Sequence, residues 1–307
     1  MKAAYGRTLC ELAASDNRFV YLDADLGNPS GAKTTLGKAF PARFLDCGIQ
    51  EANMVGVANG LSSVGMIPFA HTFSCFMARK CTDSIFLTGC FARQNVKLIG
   101  SDPGVTAEQN GASHAGMEDM GILRNIPNIT LVEPCDPVSF AAVLKKCKDT
   151  YGMFYIRYNR KPATRIYCEG SDFEFGKGNI LRDGSDATII ASGMMVEEAL
   201  AAAERLTEEG ISVRVVDMFT WKPIDAELIL RCAQETGAII TAENHNRLTG
   251  LGAAVAQIIV QDRAVPMEFV GVDDQFGQVG KLDFQKETYH LTAADICAKV
   301  KRAIKRK

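Results

Sequence analysis

The feature that most constrains this chain is an alternation running along its length. Short apolar runs are followed, again and again, by stretches with helical spacing of apolar residues. The runs Phe19–Asp25, Arg43–Cys47, Met66–Ala70, Asn95–Gly100, Ile129–Glu133 and Met153–Tyr158 predict strands. Helical patterns fall near 2–15, 51–63, 74–88 and 137–149. That rhythm predicts crossover units and a mostly parallel sheet. Residues 161–185 interrupt it with Pro162, Gly170, Gly176, Gly178 and Gly184, and read as a linker with one hairpin. The alternation then restarts. Strands are predicted at Ala187–Ala191, Val213–Asp217, Ala238–Ala242 and Met267–Val272, with helices near 195–209, 225–235, 250–261 and 292–305. The expected fold class is α/β, in two domains that each carry a mostly parallel sheet flanked by helices. The boundary is placed near residue 175, with a first domain over 1–165, a linker over 166–184 and a second domain over 185–307.

Composition excludes several classes of function. A net charge of −2 gives no general nucleic-acid surface. The basic tail (Lys299, Lys301, Arg302, Lys305, Arg306 and Lys307) reads as a solvated helix end whose cations complement the dipole. No signal peptide and no bilayer-spanning apolar run is visible, so no membrane partner is expected. The ten cysteines are scattered without a CxxC pair, which points to reduced, buried thiols in a cytoplasmic protein.

Three segments could carry chemistry. Thr249-Gly250-Leu251-Gly252 opens a helix and could hold an anion, but it lacks dinucleotide spacing and reads better as tight helix–strand packing. Gly48-Ile49-Gln50-Glu51-Ala52-Asn53-Met54 puts Glu51 in a helix's first turn. There it could simply complement the dipole, yet it also lies beyond the carboxyl end of a parallel strand, where open α/β sheets bind ligands. In Pro68-Phe69-Ala70-His71-Thr72-Phe73-Ser74-Cys75-Phe76, Phe73 and Phe76 are three apart at the start of a helix and share a face. They could be core, or an apolar slot for a flat heteroaromatic ring beside a glutamate.

Together these segments resemble the pyrimidine-binding domain of transketolases. The resemblance continues through Asp23-Ala24-Asp25, Gly111-Ala112-Ser113-His114, Met117-Glu118-Asp119 and Ile156-Arg157-Tyr158-Asn159-Arg160. The second half resembles the transketolase C-terminal domain in Phe219-Thr220-Trp221-Lys222-Pro223-Ile224-Asp225 and Thr241-Ala242-Glu243-Asn244-His245. The resemblance implies a transferase that moves a two-carbon ketol unit from a ketose to an aldehyde with thiamine diphosphate. Glu51 would be catalytic, contacting N1′ of the aminopyrimidine as a buried acid kept protonated by desolvation or sharing a proton with the ring. Phe73 and Phe76 would flank the pyrimidine, with Asp25 and His114 as further cofactor contacts.

The family holds the cofactor's diphosphate through a divalent metal bound by a GDG motif. Asp183-Gly184 is the one near miss and lacks the context. The resemblance therefore implies an N-terminal transketolase subunit as partner, carrying the Mg2+ or Ca2+, in an assembly with two copies of each chain. Sugar-phosphate transketolases share a set of substrate contacts. At the matching positions this chain has Lys2 for an arginine, Pro29 for a serine, Asp102 for a histidine and Asn110 for an aspartate; Arg160 keeps its type. Lysine loses the bidentate fork that suits phosphate, proline offers no donor, and Asp102 adds negative charge where an anion would dock. The expected substrate is a branched, deoxy, sulfonated or non-phosphorylated sugar, with Lys2 and Arg160 still able to hold an anionic group. Two alternatives remain: a 2-oxo acid dehydrogenase E1 β-like subunit, and a non-catalytic scaffold or regulatory subunit. Deoxyxylulose-phosphate synthase is also related but normally includes the missing domain.

Overall fold

A computed structural model describes all residues, 1–307. It divides into two compact units, Met1–Pro103 with Asp119–Phe173, and Gly104–Glu118 with Glu174–Lys307.

The first unit runs α1 (Lys2–Ser15), β1 (Phe19–Asp23), α2 (Gly27–Ser30), α3 (Leu36–Ala39), β2 (Phe44–Asp46), α4 (Glu51–Ser63), β3 (Ile67–Phe73) and α5 (Ser74–Ser84). A π-helical turn, Ile85–Phe91, extends α5. There follow β4 (Lys97–Ser101), α6 (Asp119–Arg124), β5 (Ile129–Val132), α7 (Pro137–Asp149) and β6 (Met153–Tyr158). The strands lie in the order β5-β6-β4-β3-β1-β2, all parallel. Every residue of β1, β4 and β6 is buried, as expected of central parallel strands covered by helices on both faces. α1 packs on α7, where Tyr5 stacks on Phe140 with centroids 5.5 Å apart, and α5 packs on both α4 and α6. α7 begins with a capping box, Asp136 Oδ1 accepting from the Ser139 N–H at 2.7 Å.

The second unit contains β7 (Asn179–Arg182), β8 (Ala187–Ala191), α8 (Met195–Glu208), β9 (Val213–Asp217), the short β10 (Thr220–Lys222), α9 (Ala226–Thr236), β11 (Ile239–Asn246), α10 (Leu251–Asp262), β12 (Met267–Val272), α11 (Leu282–Thr288) and α12 (Ala293–Ile304). Its sheet has the order β12-β11-β8-β9-β7, parallel except for β7, which is antiparallel to β9. Two mostly parallel sheets flanked by helices are thus what the alternation predicted.

The details differ in places. The turn-rich stretch carries no hairpin: its one strand, β7, pairs with β9 instead. The earlier part of that stretch is tied back, with Ile166 and Tyr167 N–H groups both donating to Asp136 Oδ2 at 2.9 Å. The basic tail is largely exposed as expected, and two of its arginines are also paired. Arg302 and Arg306 both pair with the nearly buried Glu268, at 3.1 and 2.5 Å. None of the cysteines forms a disulfide, and most are buried. No helix is long and apolar enough to cross a membrane.

Candidate active site

In open parallel sheets, loops at the carboxyl ends of the strands converge, and the predicted site residues of the first unit gather there. Glu51 is the first residue of α4, just after β2, and is 3% exposed. Lys80, on the second turn of α5, reaches it with Nζ 3.0 Å from Oε1 and 2.9 Å from Oε2. Both carboxylate oxygens therefore face a cation. The buried carboxyl expected to contact a ring nitrogen is here engaged by an ammonium. The neighbouring Cys81 thiol is pushed up to about 12, first by burial and then by the Glu51 charge.

The same ammonium lies 4.2 Å from the centroid of the Phe76 ring. Phe76 meets Phe73 edge-on, with centroids 5.8 Å apart and planes at 88°. Phe73 is the last residue of β3 and caps α5, one position earlier than the predicted helix start. Beyond it the Arg160 guanidinium lies 5.2 Å from the Phe73 centroid, and Arg160 is in turn paired with Asp102. The result is a continuous line: Glu51, Lys80, Phe76, Phe73, Arg160, Asp102. Two aromatic rings join two ion pairs, and each cation lies against a ring.

Asp102 is 1% exposed and takes a left-handed φ of 51° directly after β4. β4 and β6 are neighbours with Ser101 opposite Tyr158, so the segments that leave them run side by side and bring Asp102 to Arg160. The negative charge expected to repel an anion at Asp102 is thus spent on Arg160. The effect is the loss of a free guanidinium rather than a bare carboxylate.

The other predicted residues are placed by their own elements. Asp25 follows β1 with a φ of 59°, is exposed, and donates its N–H to Asp46 Oδ1 at 3.3 Å. Beneath it, Asp23 Oδ2 accepts from the Tyr21 hydroxyl at 2.9 Å and pairs with His71 Nδ1 at 3.0 Å, fixing the ends of β1 and β3. Lys2 is exposed, its Nζ donating to the Asn28 carbonyl at 3.3 Å, and Pro29 lies in α2. Asn110 and His114 belong to the second unit, in the turn segment Gly104–Glu118. There Asn110 is exposed, and His114 Nδ1 is 2.9 Å from the Ser113 hydroxyl.

Sequence reasoning missed Lys80. The signal was its i+4 spacing from Phe76 on one helix, which puts both on the same face. The glycine-rich helix start in the second unit has a simple explanation. Glu243, fully buried, accepts from the Leu251 and Gly252 N–H groups at 2.6 and 2.9 Å, so the anion at that helix N-terminus is the protein's own. No cluster of three or more His, Cys, Asp or Glu side chains comes together as a cation site.

A buried acceptor beside paired aromatic rings, at the carboxyl end of a parallel sheet and followed by a second α/β unit, defines a two-domain protein of the transketolase type. Residues 1–164 match the transketolase pyrimidine binding domain and residues 176–296 the transketolase C-terminal domain. The chain belongs to the transketolase family. It is 45% identical to the 6-deoxy-6-sulfo-D-fructose transketolase subunit SqwH of Clostridium sp. (strain MSTE9), over 100% of this chain and 95% of that protein. It is 37% identical to an apulose-4-phosphate transketolase subunit of Phocaeicola vulgatus, over 89% of this chain and 88% of that protein. A solved structure described as a split gene transketolase, an inactive beta4 tetramer, superposes with a TM-score of 0.93 at 42% identity, covering 99% of this chain and 98% of the other.

Proposed function

We propose that this chain is the C-terminal subunit of a two-chain, thiamine-diphosphate-dependent transketolase, with residues 1–165 as its pyrimidine-binding module and 185–307 as its C-terminal module. The observation that carries the reading is Glu51. It is a nearly fully buried carboxylate at the start of α4, and its only cation belongs to a half-exposed side chain that can leave. The residues fit the aminopyrimidine half of the cofactor: an acceptor for N1′ and two aromatic rings beside it. The family's GDG motif, which holds the metal of the diphosphate half, does not occur in this sequence. The partner is accordingly an N-terminal transketolase subunit that holds the diphosphate through Mg2+ or Ca2+, in an α2β2 assembly. The relatives described as subunits, and the neighbour described as an inactive beta4 tetramer, support a chain that acts only with a partner.

When bound, thiamine diphosphate supplies the electron sink for cleaving a carbon–carbon bond beside a carbonyl. The work of this chain is to place and charge the ring. Glu51 shares a proton with N1′, and burial strengthens that hydrogen bond because water cannot compete for it. Phe73 and Phe76 fix the ring plane and exclude water. The resemblance assigns Asp25 and His114 to the cofactor, and Lys2, Asp102, Asn110 and Arg160 to the sugar.

The preferred sugar substrate is not an ordinary aldose phosphate, which the changed contacts at Lys2, Pro29, Asp102 and Asn110 support. A 6-deoxy-6-sulfo ketose is the first to assay, because the SqwH relative is named for 6-deoxy-6-sulfo-D-fructose. A branched sugar phosphate is the second, after the apulose-4-phosphate relative. The test is to co-purify the chain with its partner, measure ketol transfer with and without thiamine diphosphate and Mg2+, and compare these donors with xylulose 5-phosphate. Glu51→Gln should leave assembly intact and cut turnover by about a hundredfold or more. Wild-type turnover in that variant would sink the catalytic reading and favour a scaffold. Equal kcat/KM on xylulose 5-phosphate would sink the substrate assignment alone.

A further inference from the structure

We propose that Lys80 is a built-in stand-in for the cofactor's aminopyrimidine, occupying its place on Glu51 and Phe76 until the ring displaces it, and thereby setting cofactor affinity. The proposal rests on the reading of Glu51 as the N1′ acceptor. Three observations lead to it. The ammonium bonds both Glu51 oxygens, at 3.0 and 2.9 Å, so a ring nitrogen approaching the carboxylate meets the ammonium at either oxygen. The same nitrogen lies 4.2 Å from the Phe76 centroid, on the aromatic surface a stacked or edge-on ring would need. The two partners are also unequal: the Glu51 side chain is 4% exposed and the Lys80 side chain 46%. Displaced, Lys80 swings its charge into water at little cost, whereas Glu51 cannot follow it. A protonated ring nitrogen then replaces one cation by another, and the buried carboxylate is never left bare.

The consequence is competition. Without the ammonium, Glu51 waits unpaired, and the ring's arrival relieves a buried charge instead of exchanging one partner for another. Removing Lys80 should therefore tighten cofactor binding. A residue that merely supported α5 would, on removal, loosen it.

The experiment uses the complex of this chain with its partner, with Mg2+ present, titrated calorimetrically with thiamine diphosphate. Lys80→Met should lower Kd by about fivefold or more, and Lys80→Arg should keep Kd near that of the wild type. Lys80→Gln, which keeps a polar head, should fall between and carries the test if Lys80→Met does not assemble. In a Glu51→Gln background Lys80→Met should change Kd little, because the two act through one interaction. An unchanged or raised Kd in an assembled Lys80→Met or Lys80→Gln complex overturns the proposal, and so does a tightening that persists without Glu51. Failure of the underlying reading looks different: the Glu51→Gln complex would then turn over normally.

Discussion

Asp102 holds Arg160 at two places, its Oδ1 accepting the Arg160 backbone N–H at 3.1 Å and its Oδ2 the guanidinium Nε at 2.6 Å. A second guanidinium nitrogen also pairs with Oδ2. The one proposed substrate contact that keeps its family type is therefore engaged by a side chain that departs from type. A guanidinium tied to a buried carboxylate has less charge and fewer free N–H groups to offer an anionic sugar.

Asp102→Asn should free that guanidinium. Asparagine tolerates the left-handed φ of 51° as well as aspartate does, so the backbone is undisturbed. The expected outcome is a KM about three- to tenfold lower for an anionic sugar and unchanged for a neutral one, from steady-state kinetics of the reconstituted complex. An equal effect on both sugars would remove Arg160 from the anion contact.

This pairing shows what the sequence could and could not convey. Strands and long helices were legible because period and punctuation coincide, and α1, α4, α7 and β6 begin and end where their patterns do. The end of β3 was not. It runs on to Phe73 because it pairs with β4 as far as Ser101, a long-range term absent from local pattern. The short α6 and α11 carry too few turns to show a period. At the site, Glu51, Phe73 and Phe76 were legible as a local motif. Asp102 and Arg160 are 58 residues apart, and only the adjacency of β4 and β6 joins them. Lys80 resembles any solvated helix lysine until the fold sets it over Glu51.

Arg157→Leu should be among the most damaging changes in the first unit. The guanidinium is fully buried, with Nε 2.9 Å from Asp119 Oδ2 and Nη1 2.5 Å from Glu133 Oε1. Burial alone would lower its pKa, but the two carboxylates outweigh that and hold it above the ordinary value. Leucine would leave both carboxylates buried without their cation, at a cost of about 3–5 kcal/mol. Urea unfolding should show a midpoint well below that of the wild type near pH 7. Part of the difference should return as the pH falls through the carboxylate range, since protonation removes the uncompensated charge.

Lys97 makes stability depend on pH above neutrality. Its Nζ donates to Asn95 Oδ1 at 2.6 Å and to the Thr150 and Gly152 carbonyls at 2.8 Å, yet burial brings its pKa down to about 7. Between about 7 and the ordinary 10.5 the unfolded chain holds a proton that the folded chain has released. Stability from this residue therefore rises with pH across that window and is lost as pH falls through about 7. The wild type should gain on Lys97→Met in urea midpoint from pH 7 to 9; parallel curves for the two proteins would contradict it.

Glu243 tests the assignment of the glycine-rich helix start to structure rather than ligand binding. Its two oxygens satisfy the N–H groups of Leu251 and Gly252, both buried at the start of α10. Gly252 lies so close to Phe269 that an added Cβ would stand 2.4 Å from the ring, and no phosphate could enter there. Glu243→Ala leaves two buried donors unsatisfied and removes a charge that complements the helix dipole, a loss of about 3 kcal/mol. Glu243→Gln keeps one acceptor and should lose about 1 kcal/mol. Thermal unfolding should rank the three proteins wild type, Glu243→Gln, Glu243→Ala. Inorganic phosphate should not restore the alanine variant, because the space vacated is lined by Gly250 and closed by the β11–α10 packing. Recovery with phosphate would reassign this helix start as an anion site.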